Sequence, residues 1–103
     1  MPQSFRLEAT SPPEVGKAIR VVVNGEPVAV FRVGDELFAL GATCTHAGGP
    51  LDEGEFTRES VECPRHGSIF ALETGEVFEG PATEPVRAYR VRTEGNALIL
   101  ETD

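Results

Sequence analysis

The sequence predicts an all-β fold, a small antiparallel sandwich or partly open barrel. Short apolar or alternating stretches recur along the chain, and turn residues fall between consecutive stretches. Nowhere does a helical period persist for about 11 residues without Gly or Pro, so little or no helix is expected.

The elements follow in order. Residues 5–8, 18–23, 27–33 and 37–40 form the first four strand stretches, with Asn24-Gly25 and Gly34-Asp35 placed where two-residue hairpin turns belong. Residues 60–63, 69–72, 77–78, 86–93 and 97–101 form the second group, punctuated by Thr74-Gly75 and Gly95-Asn96. Tyr89 and Val91 alternate with Arg90 and Arg92, the period of a half-exposed strand. Residues 1–4 are expected to be a loose terminus.

At 103 residues the prior is one domain spanning 1–103, with room for a real but small core. No apolar run approaches the roughly 18 residues needed to cross a bilayer, and the first ten residues lack a signal-peptide core. The net charge of −8 argues against binding that tracks nucleic-acid phosphates. With no Trp and one Tyr there is no platform for stacking bases either. Two cysteines cannot make a disulfide scaffold, so the expected compartment is reducing and the expected location cytoplasmic. The chain contains no Ser/His/Asp set, P-loop or dinucleotide fingerprint, and it reads as a non-enzyme.

Two Gly/Pro-rich stretches break the strand rhythm, residues 41–54 (GATCTHAGGPLDEG) and 64–68 (PRHGS). Between them, and including Cys63, they hold both cysteines and both histidines, as Cys44-x-His46, then 16 residues, then Cys63-x-x-His66. Random placement would put a His this close to each Cys on the order of one time in a hundred, which disfavours inert core cysteines beside unrelated loop histidines. Two thiolates and two imidazoles complete a four-ligand shell for a soft or borderline metal. Gly48-Gly49-Pro50 allows a tight turn after the first pair, and Pro64 stiffens the second loop. Gly67, without a Cβ, lets backbone N–H groups approach whatever His66 binds, a feature that inorganic sulfide needs and bare zinc does not. Structural zinc remains the competitor, although its usual shell pairs Cys with Cys and His with His. Here each loop supplies one of each, which suits a binuclear centre.

The two boxes, C-T-H-A-G-G-P-L and C-P-R-H-G-S, resemble the Rieske [2Fe–2S] signature, and the run F-A-L-E-T-G-E-V-F-E-G-P-A resembles Rieske-type ferredoxins. The resemblance covers roughly residues 37–100. It implies that Cys44 and Cys63 ligate one iron and His46 and His66 the other. Gly80-Pro81-Ala82 would be the loop that covers the cluster as a third wall. The implied fold is a base of antiparallel sheets with a small cluster-binding subdomain inserted at about residues 41–82. The implied role is one-electron transfer from a flavoprotein reductase to a terminal oxygenase. A Rieske-like small subunit of a nitrite reductase, or a carrier for another oxidoreductase, is the alternative within the family. A structural zinc module for protein contacts is the alternative outside it. A monomer is expected of so small a shuttle.

Counting charges gives the expected redox behaviour. Two ferric ions, two sulfides and two thiolates sum to zero with neutral histidines, so an electron is added more easily than to a four-Cys cluster. Potentials of such centres lie between about −150 and +300 mV. The resemblance places extra cysteines of respiratory members at Gly49 and Arg65, so no bracing disulfide is possible here. It places hydroxyl donors to the cluster sulfurs at Ser68, which is kept, and at Phe70, which has none. Ser68 has an equally good ordinary reading as a turn hydroxyl. A low-potential, ferredoxin-type centre is expected.

Between Leu51 and Glu84 nine acidic residues (Asp52, Glu53, Glu55, Glu59, Glu62, Glu73, Glu76, Glu79, Glu84) face only Arg58 and Arg65. This is either an ordinary solvated surface or a field that steers basic partners toward the cluster end.

Overall fold

The computed structural model describes residues 3–46 and 48–102. Ten strands and one short 3-10 turn are described: β1 Gln3–Leu7, β2 Ala18–Val23, β3 Glu26–Val33, β4 Glu36–Gly41, the turn at Leu51–Glu53, β5 Glu55–Phe56, β6 Ser60–Glu62, β7 Ile69–Ala71, β8 Val77–Glu79, β9 Ala88–Glu94 and β10 Ala97–Thr102. Six of them form an antiparallel half-barrel in the order β1-β10-β9-β4-β3-β2. The other four form a small antiparallel sheet, β5-β6-β7-β8, inserted in sequence between β4 and β9. The all-β expectation holds.

The central strands β3 and β4 carry the organisation. Along a strand, alternate side chains face opposite sides. Ala29 and Phe31 of β3, with Phe38 and Leu40 of β4, belong to one core together with Val61, Phe70 and Leu72 of the small-sheet region. Val28 and Val30, with Ala39, belong to a second core with Val23, Tyr89 and Leu100. Both faces of β3 are therefore covered, which is why residues 28–31 are buried without alternation and read as a continuous apolar run. Three contacts fasten the insertion to the base. Phe31 and Phe56 pack edge to face at 4.9 Å. Arg58 pairs with Glu36 and lies 4.9 Å over the Phe38 ring. Arg20 of β2 pairs with Asp52 of the 3-10 turn at 3.0 Å.

Most strand ends shift by a residue or two from the sequence reading, and three of the differences have a clear physical reason. Gln3 and Ser4 are not loose: they pair with Thr102 and Glu101 and extend β1 along β10. Met1 and Pro2 lie outside the described residues. Val86 and Arg87 precede β9 rather than belonging to it: the Val86 N–H turns to the carbonyl of Gly75 in the small-sheet region, and the Gly41 N–H bond to the Arg87 carbonyl is the last contact of the β4–β9 register. The acidic stretch 51–56 holds a 3-10 turn and a two-residue strand that its charge concealed. Among the described residues no helix is long and apolar enough to cross a membrane.

Candidate metal centre

Three loops meet beside the small sheet. The first, between β4 and the 3-10 turn, folds back on itself: Leu51 N–H donates to the Ala42 carbonyl at 2.8 Å, Cys44 N–H to Gly49 at 2.9 Å, and Gly48 N–H to Cys44 at 3.0 Å. Gly48 sits at φ +69°, the left-handed region that a glycine enters without a steric penalty. Gly49 is needed for space instead. A Cβ there would stand 2.9 Å from Cys63 Sγ and 3.3 Å from the Arg65 Cγ, so the missing side chain is what lets the two loops touch.

The second loop links β6 to β7 and is closed by Cys63 N–H donating to the Ser68 carbonyl at 2.7 Å. Two successive left-handed residues make the reversal, His66 at φ +66° and Gly67 at φ +74°. Around Gly67 a Cβ would meet nothing closer than 3.6 Å, so the dihedral rather than crowding calls for glycine. A histidine held at positive φ is a costly conformation that clusters at functional sites.

The third loop carries Pro81, which is exposed and follows a cis Gly80–Pro81 bond. It is pinned to both others. Ser68 Oγ, fully buried, accepts the Ala82 N–H at 3.0 Å, and Thr45 Oγ1 donates to the Glu84 carbonyl at 2.6 Å. Ser68 is thus a tie between the second and third loops. The Thr45 contact was invisible in the sequence, since nothing in C-T-H marks a partner 39 residues away. Phe70 is a fully buried core aromatic.

The four candidate ligands come together as two pairs. Cys44 and Cys63 are 2% and 1% exposed, unbridged by a disulfide and within hydrogen-bonding reach of each other. Burial pushes the Cys63 thiol above its ordinary pKa, the Arg65 N–H at 3.4 Å from Sγ pulls it back, and the neighbouring Cys44 raises it again. His46 and His66 are exposed, with ring centroids 5.7 Å apart and planes at 88°. Among the described residues no three of His, Cys, Asp or Glu converge as a single-metal shell. A lone zinc ion needs all four donors on one point. An inner sulfur pair and an outer nitrogen pair instead match a binuclear cluster with unlike donors on its two irons.

The comparisons agree. The family model described as the Rieske [2Fe-2S] domain matches residues 6–90. The anthranilate 1,2-dioxygenase ferredoxin subunit of Burkholderia cepacia is 45% identical over 71 residues, 69% of this chain and 66% of that protein. The 3-phenylpropionate/cinnamic acid dioxygenase ferredoxin subunit of Shigella boydii is 34% identical over 87 residues, 84% of this chain and 81% of that protein. Among solved structures, the ferredoxin in a complex of reduced oxygenase and oxidized ferredoxin of carbazole 1,9a-dioxygenase superposes with a TM-score of 0.80 at 34% identity, covering 94% of this chain and 91% of that one. Motif, geometry and relatives converge, and the chain belongs to the Rieske [2Fe–2S] domain family, where it resembles the ferredoxin subunits of aromatic ring-hydroxylating dioxygenases.

Proposed function

We propose that this protein is the one-electron ferredoxin of a ring-hydroxylating dioxygenase system, receiving electrons from a flavin-containing reductase and delivering them to a terminal oxygenase. The observation that carries the reading is the segregation of donors, buried Cys44 and Cys63 behind exposed His46 and His66. Residues 41–82 act as the cluster-binding subdomain on the half-barrel base. Cys44 and Cys63 would hold one iron and His46 and His66 the other; the cluster supplies a reversible one-electron couple. The exposed histidines mark the face through which electrons enter and leave. The loop ties at Ser68 and Thr45 keep that face rigid, so little reorganisation accompanies the change of charge. The two ferredoxin relatives described above are subunits of dioxygenases, which favours an oxygenase over a nitrite reductase as acceptor. The proposed carrier is cytoplasmic and acts as a monomer.

The test is reconstitution with iron and sulfide under reducing conditions. About two irons and two acid-labile sulfides per chain, a red-brown colour and a midpoint below about +150 mV are expected. Colourless protein carrying one zinc would overturn the reading, and a midpoint above that value would overturn its low-potential part. Acidic steering adds a kinetic expectation: electron exchange with the oxygenase slows as salt rises, since charge sets mainly the on-rate. Stopped-flow rates independent of ionic strength would make the acidic face an ordinary solvated surface.

A further inference from the structure

Arg65 lies between the two ligands of the second loop, and its surroundings set it apart from the other cations. Its N–H donates to Cys63 Sγ at 3.4 Å. Its stem reaches the first loop, with Cβ and Cγ 3.4 and 3.3 Å from the point where a Gly49 side chain would begin. Arg58, the other cation between residues 51 and 84, is occupied by Glu36 and the Phe38 ring. The Arg65 guanidinium makes no side-chain hydrogen bond or ion pair among the described residues. One free positive charge therefore sits at the ligand loops, inside a stretch carrying nine carboxylates.

We propose that Arg65 is a potential-setting residue, whose cross-loop stem holds an unpaired cation beside Cys63, which would ligate one iron, and raises the reduction potential against the acidic field. The inference rests on the Rieske reading. Reduction adds one negative charge to the centre, so a nearby cation stabilises the reduced form and carboxylates disfavour it. The same charge favours the thiolate of Cys63, where burial is the larger, opposing influence. Because Arg65 is exposed, solvent and salt screen it, and the effect is modest.

The experiment is voltammetry of the reconstituted protein and of Arg65→Gln, Arg65→Met and Arg65→Lys, with Arg58→Gln as the control. The neutral variants should lower the midpoint by the equivalent of about two- to fivefold in electron-exchange equilibrium, or about 20–40 mV at 59 mV per decade. Arg65→Lys should keep most of the wild-type value, Arg58→Gln should leave it unmoved, and the Gln and Met shifts should shrink in high salt. Unmoved midpoints in both neutral variants overturn the proposal. So does an equal fall in all three Arg65 variants, which would assign the effect to the shape of the guanidinium rather than its charge. If Gln and Met variants fail to take up iron while the wild type loads, Arg65 is an assembly residue and the proposal is equally overturned. Wild-type protein that never forms the cluster is a different outcome, the failure of the Rieske reading itself.

Discussion

Gly75→Ala destabilises the protein by roughly 3–5 kcal/mol, the largest single-methyl effect expected in the chain. Gly75 has φ +79°, which alone costs an L-residue about 1–2 kcal/mol. A Cβ there would also stand 2.1 Å from the Val86 carbonyl oxygen, a backbone atom that cannot swing aside. That contact is where the turn after β7 docks: Gly75 N–H donates to Ala71 at 2.8 Å, and Val86 N–H donates back to Gly75 at 3.0 Å. Relieving the overlap means separating the small sheet from the segment that leads into β9. Against a total stability of about 5–15 kcal/mol, the loss is severe. Thermal unfolding should show a drop well beyond 10 °C, since about 1 kcal/mol moves a domain of this size by 4–8 °C. Gly25→Ala provides the contrast. Its φ of +82° is equally left-handed but nothing lies within 4 Å, so only the dihedral cost of about 1–2 kcal/mol remains. Equal melting temperatures for the two variants would show that the Val86 contact carries no weight.

The comparison of Gly25 with Gly75 also shows what a sequence can reveal. Both were legible as turn glycines, because turn chemistry is local. Only the fold distinguishes one facing solvent from one pressed against a distant carbonyl. The same division runs through the site. Cys44, His46, Cys63 and His66 stood out because metal ligands must come from few residue types at short spacing. The strands stood out because the period of two is written in consecutive side chains. Thr45 did not, and Gly49 stood out only as part of a tight turn and as the place of an absent cysteine, since their contacts with Glu84 and Cys63 join loops far apart in the chain. The strand at Glu55–Phe56 was hidden for a related reason. Its charged residue faces water, and Phe56 finds its partner Phe31 in a strand more than 20 residues earlier. In the sequence Arg65 marks only the absence of a disulfide cysteine; the structure gives it a positive content, a stem crossing to the opposite loop.

Cys44→Ser should bring iron and labile sulfide from about two of each per chain to none, with loss of visible colour and of the electron resonance of the reduced state. A serine hydroxyl at neutral pH is a far poorer ligand than a thiolate, and metal binding requires the deprotonated donor. The same change also places a hydroxyl in the core formed with Leu51, Val61 and Phe70, at a cost of about 1–3 kcal/mol. Loss of colour through misfolding therefore has to be separated from loss of a ligand. Cys44→Ala does part of this, because it keeps the position apolar and removes only the sulfur. His46→Ala does the rest: the ring is exposed, its removal opens no cavity, and a surface change of this kind stays within about 0.5 kcal/mol. If all three variants lose both irons while His46→Ala melts, as apoprotein, with the wild-type apoprotein, the exposed imidazole is a ligand and not a bystander. A His46→Ala protein that retains its full iron, sulfide and spectrum would break the pairing of nitrogen donors on the outer metal. The buried cysteines alone would then have to account for the centre, and the case against zinc, which depends on two separate donor pairs, would have to be made again from metal content.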